Sequence, residues 1–301
     1  MQAEWIAVDW GTSNVRAWGL AGDGSVVFSS SSDQGMGRLV PGDYPAVLNQ
    51  LLAQHDARTL TEVLICGMAG AKQGWKEAPY LDVPADLSGI SFGSVSPDGA
   101  NERFSVRILP GLCQRGVGHE DVMRGEETQL LGLSTLLAAY SGPVIMPGTH
   151  SKWAMLEGRR VSRFATVMTG EMFALLGTHS VLRHSLGTVD DETAQADGFA
   201  EGATLGLDHP EKLLATLFKV RAGSLLSGRG SSWSSGFLSG LLIGSEVGGQ
   251  RDWLHGAPEI PLIGGVKLCN LYSKVLHQVG ARSLVVDATD ATLAGLRAAR
   301  R

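Results

Sequence analysis

The stretch Trp5-Ile6-Ala7-Val8-Asp9-Trp10-Gly11-Thr12-Ser13-Asn14-Val15-Arg16 decides the fold of this chain, because it joins an apolar strand, a Gly-Thr turn and a second strand. The same pattern returns in Val144-Ile145-Met146-Pro147-Gly148-Thr149-His150-Ser151-Lys152-Trp153. A glycine turn and a third strand follow each copy, so each copy predicts an antiparallel meander of about 25 residues. The repeat therefore indicates two related lobes.

Both turns have a composition that suits phosphate. Gly, Thr and Ser present backbone N–H groups and hydroxyls without a bulky side chain in the way. Asp9 ends the first strand, whereas Met146 stands at the matching place in the second copy. If the pair binds a nucleoside triphosphate, the first lobe is expected to hold the metal and the second to hold phosphate oxygens through neutral donors. Two ordinary hairpins with polar turns are the alternative.

Composition places the chain among globular proteins with more than one core. A length of 301 residues with 44% hydrophobic residues favours two domains. A net charge of −5 gives no electrostatic footprint for nucleic acid or an anionic membrane, and no apolar run approaches the roughly 18 residues of a membrane span. The three widely separated cysteines fit buried thiols in a reducing compartment. We therefore expect a cytoplasmic protein.

The sequence pattern predicts both strands and helices in the first part of the chain and mainly helices in the second. Residues 67–101 are rich in Gly, Pro and Ser around Trp75 and Tyr80, which predicts a folded functional loop. Thr169 is predicted as the N-cap of a helix, and residues 224–235 as a mobile surface loop. The predicted helices are 44–52, 126–140, 170–181, 192–207, 210–222, 237–247, one ending at 279, and a last helix after the strand 283–287. The other single strands are predicted at 63–66, 103–109 and 260–263.

Several common catalytic motifs are absent from the sequence: the Walker loop, the Rossmann glycine fingerprint, the Gly-x-Ser-x-Gly elbow and Cys-x-x-Cys. What remains is Asp9 with its two Gly-Thr turns, the acidic helix start Gly125-Glu126-Glu127, and a Gly264-Gly265 pair between a strand and a helix. In this order the features resemble the sugar-kinase, heat-shock-chaperone and actin superfamily, whose members clamp ATP between two related lobes.

Five ungapped blocks narrow the resemblance to the 2-dehydro-3-deoxygalactonokinase family, and they extend over nearly the whole chain. The blocks are Gly67-Met68-Ala69-Gly70-Ala71-Lys72-Gln73-Gly74-Trp75, Met123-Arg124-Gly125-Glu126-Glu127, Pro147-Gly148-Thr149-His150-Ser151-Lys152-Trp153, Thr169-Gly170-Glu171-Met172-Phe173-Ala174-Leu175-Leu176 and Leu238-Ser239-Gly240-Leu241-Leu242-Ile243-Gly244.

The resemblance implies an α/β, two-lobed actin-like ATPase with ribonuclease H-like duplicated domains, and with ATP and substrate in the interdomain cleft. It implies an N-terminal lobe over 1–125 and a C-terminal lobe over 126–301, whose last helix packs back on the first lobe. The implied activity is a carbohydrate kinase of galactonate catabolism. It phosphorylates the 6-hydroxyl of 2-dehydro-3-deoxy-D-galactonate, with ATP and Mg²⁺ as cofactors.

The resemblance also assigns individual roles. Glu126 is the expected catalytic base, and Asp9 the expected Mg²⁺ ligand, held through water because Mg²⁺ dehydrates reluctantly. Nucleotide contacts are assigned to Gly11, Thr12, Ser13, Arg16, Gly148, Thr149, His150, Lys152, Gly264 and Gly265. The substrate candidates are Arg38, Lys72, Trp75 and Arg124. Because most sugar kinases have Asp where this chain has Glu126, Glu127 and Asp121 stay open as alternative bases.

Alternatives remain for the function as well. The chain could be a kinase for another acidic or amino sugar, a sugar-sensing protein without catalysis on the same scaffold, or a nucleotide hydrolase that forms polymers. The expected partner is a small keto-deoxy sugar acid, with neither nucleic acid nor membrane, and a homodimer is one candidate assembly. For single residues, Glu126 has the plain alternative of a helix-start carboxylate favoured by the helix dipole, and Asp9 that of a turn acid.

Overall fold

A computed structural model describes residues 3–53, 60–138, 140–257 and 259–300. By its internal contacts the chain divides into two compact units. Unit 1 contains Met1–Ser141, Ala154–Phe164 and Ala288–Arg301, and unit 2 contains Gly142–Trp153 and Ala165–Asp287. The α/β class and the presence of two units are confirmed. The boundary predicted after residue 125 and the predicted cleft stay predictions.

The strands follow the predicted meanders closely at both Gly-Thr turns. They are β1 (Trp5–Trp10), β2 (Val15–Leu20), β3 (Val26–Ser32), β4 (Thr61–Gly67), β5 (Tyr80–Asp82), β6 (Ala85–Asp86), β7 (Phe104–Ile108), β8 (Gly111–Gln114), β9 (Asp121–Met123), β10 (Ser141–Met146), β11 (Ser151–Glu157), β12 (Arg160–Val167), β13 (Ile260–Gly264) and β14 (Ser283–Asp287).

Each copy of the duplicated meander forms part of one of the two large sheets. The first sheet has the order β3-β2-β1-β4-β7, with β1 antiparallel to β2 and parallel to β4. The second has the order β14-β13-β10-β11-β12-β6, in which β13 runs parallel to both β10 and β14. A small sheet of β5, β8 and β9 belongs to the predicted functional loop and the chain that follows it. In each large sheet a Gly-Thr turn therefore follows a buried strand.

The helices are α1 (Tyr44–Leu51), α2 (Glu126–Leu136), α3 (Thr169–Thr178), α4 (Glu192–Asp208), α5 (Leu213–Leu217), α6 (Lys219–Leu226), α7 (Ser231–Gly249), α8 (Val266–Gln278) and α9 (Ala288–Arg300). Among the described residues, no helix combines the length and apolar character that crossing a membrane requires. Ala139, inside the predicted helix 126–140, lies outside the described residues.

Three local predictions are wrong. Thr169 is the first residue of α3 instead of its cap, and its hydroxyl donates to the carboxylate of Glu246. The predicted helix 210–222 is divided into a 3₁₀ turn, α5 and α6. The predicted loop 224–235 ends early, because α7 begins at Ser231 and buries Trp233 against Phe237, with ring centroids 4.8 Å apart. Burial of that indole outweighs the weak helix propensity of the serines around it.

Glycines at every fourth position bring α4 and α7 into close contact in unit 2. A Cβ added at Gly198 or Gly202 would lie 2.2 Å from a backbone oxygen of α7, and one at Gly240 would lie 2.1 Å from Phe199 O. Only hydrogen fits at these points. Close helix packing thus accounts for many of the 40 glycines in the chain, and it forms the core beside the second turn.

Close contact through glycines also positions α2 in unit 1. A Cβ at Gly132 would lie 1.8 Å from Ala291 O, and a Cβ at Gly295 would lie 1.9 Å from Thr128 O. Helices α2 and α9 therefore touch through their backbones. This contact holds the acidic start of α2 in a defined place, and it brings Thr289 at the start of α9 within reach of Arg16.

Candidate active site

Asp9 lies at the end of β1, where its carboxylate forms an ion pair within the first hairpin. Register places Asp9 opposite Arg16, and Arg16 Nη2 donates to Asp9 Oδ2 at 2.7 Å. Arg16 Nη1 also donates to Thr289 Oγ1 at 3.2 Å. The carboxylate is only 18% exposed, whereas Arg16 is 40% exposed. The hairpin therefore presents an anchored acid together with a cation that water and ligands can still reach.

The first Gly-Thr turn is held by backbone hydrogen bonds on its carbonyl side. The carbonyls of Gly11, Thr12 and Ser13 accept the N–H groups of residues 36, 37 and 35, at 3.0, 2.9 and 3.3 Å. In a trans peptide the C=O and the following N–H point in opposite directions. The N–H groups of residues 12 to 14 therefore point away from that loop, on an exposed turn. This arrangement suits an anion.

Helix α2 begins with two carboxylates that differ in exposure. Glu126 is half-buried, and its Oε2 accepts the backbone N–H of Arg124 at 3.0 Å. Glu127 is fully buried, with Oε2 accepting the N–H of Gly125 at 2.7 Å and Oε1 accepting the Thr128 hydroxyl at 3.1 Å. Burial, and then the charge of Glu126, raise the pKa of Glu127 to about 7. Of these two predicted bases, only Glu126 is accessible to a substrate.

Asp9 and the start of α2 surround the end of β4. Cys66 Sγ lies 4.0 Å from Asp9 Oδ1, and the charges of Asp9 and Glu127 add to burial in raising the pKa of this thiol. A Cβ added at Gly125 would lie 3.4 Å from the Cα of Gly67. The structure therefore places Asp9, the predicted metal ligand, and the N-terminal end of α2, which carries Glu126, next to the same end of β4. Asp121, the third candidate base, lies in β9 and accepts the N–H of Val122 at 2.8 Å.

The predicted substrate residues have very different environments. Arg38 is exposed and pairs with Asp33, and Lys72 is exposed. Trp75 lies in the hydrophobic core, stacked on Tyr44 at 5.9 Å. Little of the Trp75 ring is therefore left for a ligand, and its part in substrate binding stays a prediction.

Arg124 differs from the other substrate candidates because its guanidinium is buried. Nη2 donates to Ala78 O at 2.9 Å, and the group lies 4.2 Å from the centroid of the Tyr80 ring. Nε and Nη1 have no hydrogen-bond partner among the described residues. Unpaired buried N–H groups of a charged side chain are costly, so Arg124 has unmet capacity to bind an acceptor.

The second turn, at Gly148 to His150, is held by the start of α3. Glu171 N donates to Thr149 O at 2.9 Å, and the Glu171 carboxylate contacts His150 Nε2. A Cβ added at Gly170 would lie 2.4 Å from Gly148 O. Gly148 itself is open, with space for a ligand close to its backbone. Three of the predicted nucleotide residues thus stay together on one rigid turn.

The remaining nucleotide candidates differ in exposure. Lys152 is buried, with Nζ donating to Thr166 Oγ1 at 2.7 Å. Gly264 is buried at the end of β13, where a Cβ would lie 3.2 Å from Pro147 O. Gly265 is exposed and precedes α8, and a Cβ added there would have no atom within 4 Å. The glycine pair thus joins β13 to α8 directly beside the second turn.

A cavity of about 280 Å³ opens inside unit 2, next to the second turn. This volume is near the lower end of small-molecule sites, about 300–1,000 Å³. Sequence reasoning missed most of its wall, although the block at 238–244 and the small serines of α7 were signals for it. Its lining residues are Gly148, Thr169, Gly170, Phe173, Gln195, Ser235, Ser239, Leu242, Ile243, Leu268, Leu271 and Tyr272.

Glu246 is a second feature that sequence reasoning missed. This carboxylate of α7 is 5% exposed and accepts the indole N–H of Trp153 at 2.7 Å and the hydroxyl of Tyr272 at 2.5 Å. The available signal was an acid in an otherwise apolar helical run. Among the described residues, no group of three or more His, Cys, Asp or Glu side chains is placed to hold a metal ion.

Comparisons with known proteins identify the family of the chain. Residues 9–299 match the family model described as 2-keto-3-deoxy-galactonokinase. The chain is 41% identical to "Probable 2-dehydro-3-deoxygalactonokinase DgoK1" of Rhizobium meliloti (strain 1021), covering 99% of this chain and 96% of that protein. It is 38% identical to 2-dehydro-3-deoxygalactonokinase of Escherichia coli (strain K12), covering 99% and 97%.

A solved structure shares the whole fold. The crystal structure of a protein from Sinorhizobium meliloti superimposes with a TM-score of 0.92 at 41% identity, covering 99% of this chain and 98% of that chain. The family model and the relatives both extend over nearly the full length. The resemblance inferred from the five sequence blocks is therefore confirmed. The chain belongs to the 2-keto-3-deoxy-galactonokinase family.

Proposed function

We propose that the protein transfers the terminal phosphoryl group of ATP to the 6-hydroxyl of 2-dehydro-3-deoxy-D-galactonate, in galactonate catabolism. As a member of a kinase family it is a carbohydrate kinase, a phosphotransferase with an alcohol group as acceptor. The observation that carries the proposal is the position of Asp9 and of the acidic N-terminal end of α2, both beside Cys66 and Gly67 at the end of β4. Phosphoryl transfer depends mainly on positioning and charge stabilisation, which such a group supplies.

The first turn and its hairpin fit the phosphate end of ATP. The N–H groups of residues 12 to 14 and the hydroxyls of Thr12 and Ser13 would donate to phosphate oxygens, and exposed Arg16 would offset their charge. Asp9 is the residue that would hold Mg²⁺. Its single anchored carboxylate fits an ion that keeps several waters and binds through one or two carboxylates plus substrate phosphates. When bound, Mg²⁺ neutralises charge on the phosphates.

Glu126 fits the role of general base better than its neighbour. The hydrogen bond from Arg124 N orients its carboxylate, and its half-exposed position leaves it accessible to a hydroxyl. Glu127 has a pKa of about 7, near the optimum for a base, yet it is completely buried. We assign proton acceptance from the 6-hydroxyl to Glu126. Glu127 then holds the N-terminus of α2 in place through Gly125 N.

Arg124 is the substrate candidate best suited to the carboxylate of a sugar acid. Nε and Nη1 lack acceptors, and a carboxylate would supply an acceptor to at least one of them. The Tyr80 ring lies against the guanidinium, and stacking of this kind leaves the in-plane N–H groups as donors. Arg38 already pairs with Asp33, so fewer of its N–H donors remain for a substrate carboxylate. We therefore propose Arg124 as the residue that selects acids over neutral sugars.

The cavity in unit 2 is the proposed site of the adenosine of ATP. It begins at Gly148 of the second turn and continues between α7 and α8, lined mainly by apolar side chains. A purine fits such a lining, because its faces are apolar and its edges need few donors. Gly148, Thr149 and His150 would then contact phosphates. Lys152, whose buried ammonium donates to Thr166 Oγ1, remains a nucleotide candidate because an ammonium carries three donors.

A coupled assay of ADP release tests the proposal on the purified chain. The acceptors are 2-dehydro-3-deoxy-D-galactonate, its gluconate epimer, a neutral hexose and N-acetylmannosamine, with ATP alone as the blank. We expect the galactonate derivative to give the highest kcat/KM, and Arg124→Gln to lower it for acids only. Equal rates with the neutral hexose would reject the substrate assignment.

The assay also separates the alternatives. Preference for N-acetylmannosamine or the epimer would indicate a kinase for another sugar, and sugar binding without any ADP release would indicate a sensor. Single-turnover measurements on Glu126→Gln, Glu127→Gln and Asp121→Asn test the choice of base, with a loss of about 10²- to 10⁴-fold expected for Glu126→Gln. The homodimer and the cytoplasmic location stay predictions.

A further inference from the structure

Glu246 is the centre of a buried hydrogen-bond network in unit 2. Its Oε1 accepts from Trp153 Nε1, and its Oε2 accepts from the hydroxyls of Thr169 and Tyr272. Ser151 Oγ and Tyr272 Oη are 2.8 Å apart. All five side chains are at most 8% exposed. They come from β11, α3, α7 and α8, so one carboxylate ties four elements together.

The donors in this network define the protonation that it needs. An indole can only donate, and an ionised carboxylate can only accept. Two carboxylate oxygens therefore satisfy three donors, and Tyr272 can in turn accept from Ser151. Burial raises the pKa of Glu246, while its hydrogen bonds oppose that change. An amide at this position would put an additional N–H₂ donor among donors, leaving at least one of them unpaired.

The network is connected to both ends of the second turn. Ser151 and Trp153 follow His150 directly along β11. On the other side, Thr169 begins α3, and the next two residues contact the turn backbone: Gly170 packs on Gly148 O, and Glu171 N bonds to Thr149 O. Thr169 and Tyr272 also line the 280 Å³ cavity. A shift of Glu246 would therefore move the turn and the cavity wall together.

We propose that Glu246 is a positioning residue that fixes the Gly148 to His150 turn and the adjoining cavity for ATP, without contacting the reacting atoms. This inference rests on the proposed function in placing nucleotide at the turn. It adds a determinant of nucleotide affinity that lies outside the turn sequence. Sugar-acid affinity, which the proposal assigns to side chains of unit 1, should not depend on this network.

Calorimetric titration tests the inference directly, with the non-hydrolysable ATP analogue AMP-PNP and, separately, with 2-dehydro-3-deoxy-D-galactonate. Loss of a hydrogen bond to a charged group corresponds to a weakening of about 10- to 100-fold. We expect Glu246→Gln to weaken the binding of AMP-PNP by this factor. The Kd of the sugar acid should stay within about twofold of the wild-type value. The same split should appear in the two KM values.

Thr169 provides the matched pair of variants. Thr169→Ser keeps the hydroxyl and should bind AMP-PNP more tightly than Thr169→Val, which removes the hydroxyl at similar volume and should reproduce the Glu246→Gln defect. If Glu246→Gln does not fold, this pair decides. Unchanged AMP-PNP affinity in folded Thr169→Val, with only a lower Tm, would overturn the inference. Because nucleotide binding is measured without turnover, a wild type that binds AMP-PNP but rejects the sugar acid would contradict the proposed acceptor alone.

Discussion

The two Gly-Thr turns share a sequence pattern but differ in what supports them. The first is held by backbone N–H groups of residues 35 to 37, and its strand ends in the acid Asp9, paired with Arg16. The second is held by the start of α3, and Met146, 4% exposed, stands where the first has Asp9. Its support continues into the side chains around Glu246.

This difference shows that duplicated motifs need not carry equal chemistry. Charged groups gather beside the first turn, where Asp9 pairs with Arg16 and lies, like Glu127, close to Cys66. At the second turn the Glu171 carboxylate contacts His150, and a further acid, Glu246, is buried among hydrogen-bond donors. Charge should therefore matter most at the first turn. Shape and buried hydrogen bonds should matter most at the second.

Removal of the charge on Asp9 should give the largest effect. Asp9→Asn keeps the shape of the side chain but loses the anion proposed to hold Mg²⁺ and the ion pair with Arg16. We expect turnover to fall by about 10²- to 10⁴-fold, with the greatest loss at limiting Mg²⁺. Steady-state kinetics against Mg²⁺ concentration measure this. Asp23→Asn, at an exposed acid in a turn of the same unit, is the control. Wild-type turnover of Asp9→Asn would remove Asp9 from the site.

A methyl group at the supporting glycine of either turn should have the next largest effect. In Gly35→Ala the new Cβ would lie 2.4 Å from Ser13 C, and in Gly170→Ala it would lie 2.4 Å from Gly148 O. Backbone atoms must then move, and a misplacement of about 1 Å can cost about 100-fold in rate. We expect kcat/KM for ATP to fall by that order in both variants.

Alanine at open glycines is the control for this pair. Gly42 and Gly249 have nothing within 4 Å of an added Cβ, so Gly42→Ala and Gly249→Ala should keep wild-type kinetics. Equal behaviour of the two supporting variants would show that both turns require the same precision. A defect in Gly35→Ala alone would show that turnover depends on the exact position of the first turn but not on that of the second. The two turns would then differ in function despite their similar sequences.

The smallest effect should be a pH dependence of stability that comes from Glu127. Its pKa is raised from an ordinary 4.5 to about 7, so the folded state binds a proton more tightly than the unfolded state does. The contribution to stability is complete below about pH 4.5 and is lost as pH rises through about 7. Urea unfolding at pH 5 and pH 8 should show wild type losing up to about 3 kcal/mol relative to Glu127→Gln. An equal change in stability of wild type and Glu127→Gln between pH 5 and pH 8 would mean that Glu127 is ionised over this whole pH range.

The sequence alone determined the elements that depend on neighbouring residues. The two meanders, the acid at the end of β1 and the acidic start of α2 were all predictable, because strand periodicity, turn composition and helix-start acids are local properties. The family was predictable because its blocks are contiguous in sequence, and residues 9–299 match its model. The roles of individual site residues stay predictions.

Only the tertiary structure decided which of these residues are exposed, because burial depends on distant parts of the chain. It placed Glu127 in the interior while Glu126 stayed accessible, and it packed Trp75 into the core. It also joined Glu246 to Trp153 and Thr169, which lie 93 and 77 residues away along the chain. No local pattern encodes such contacts, because they form only when helices and strands from separate stretches of sequence pack together.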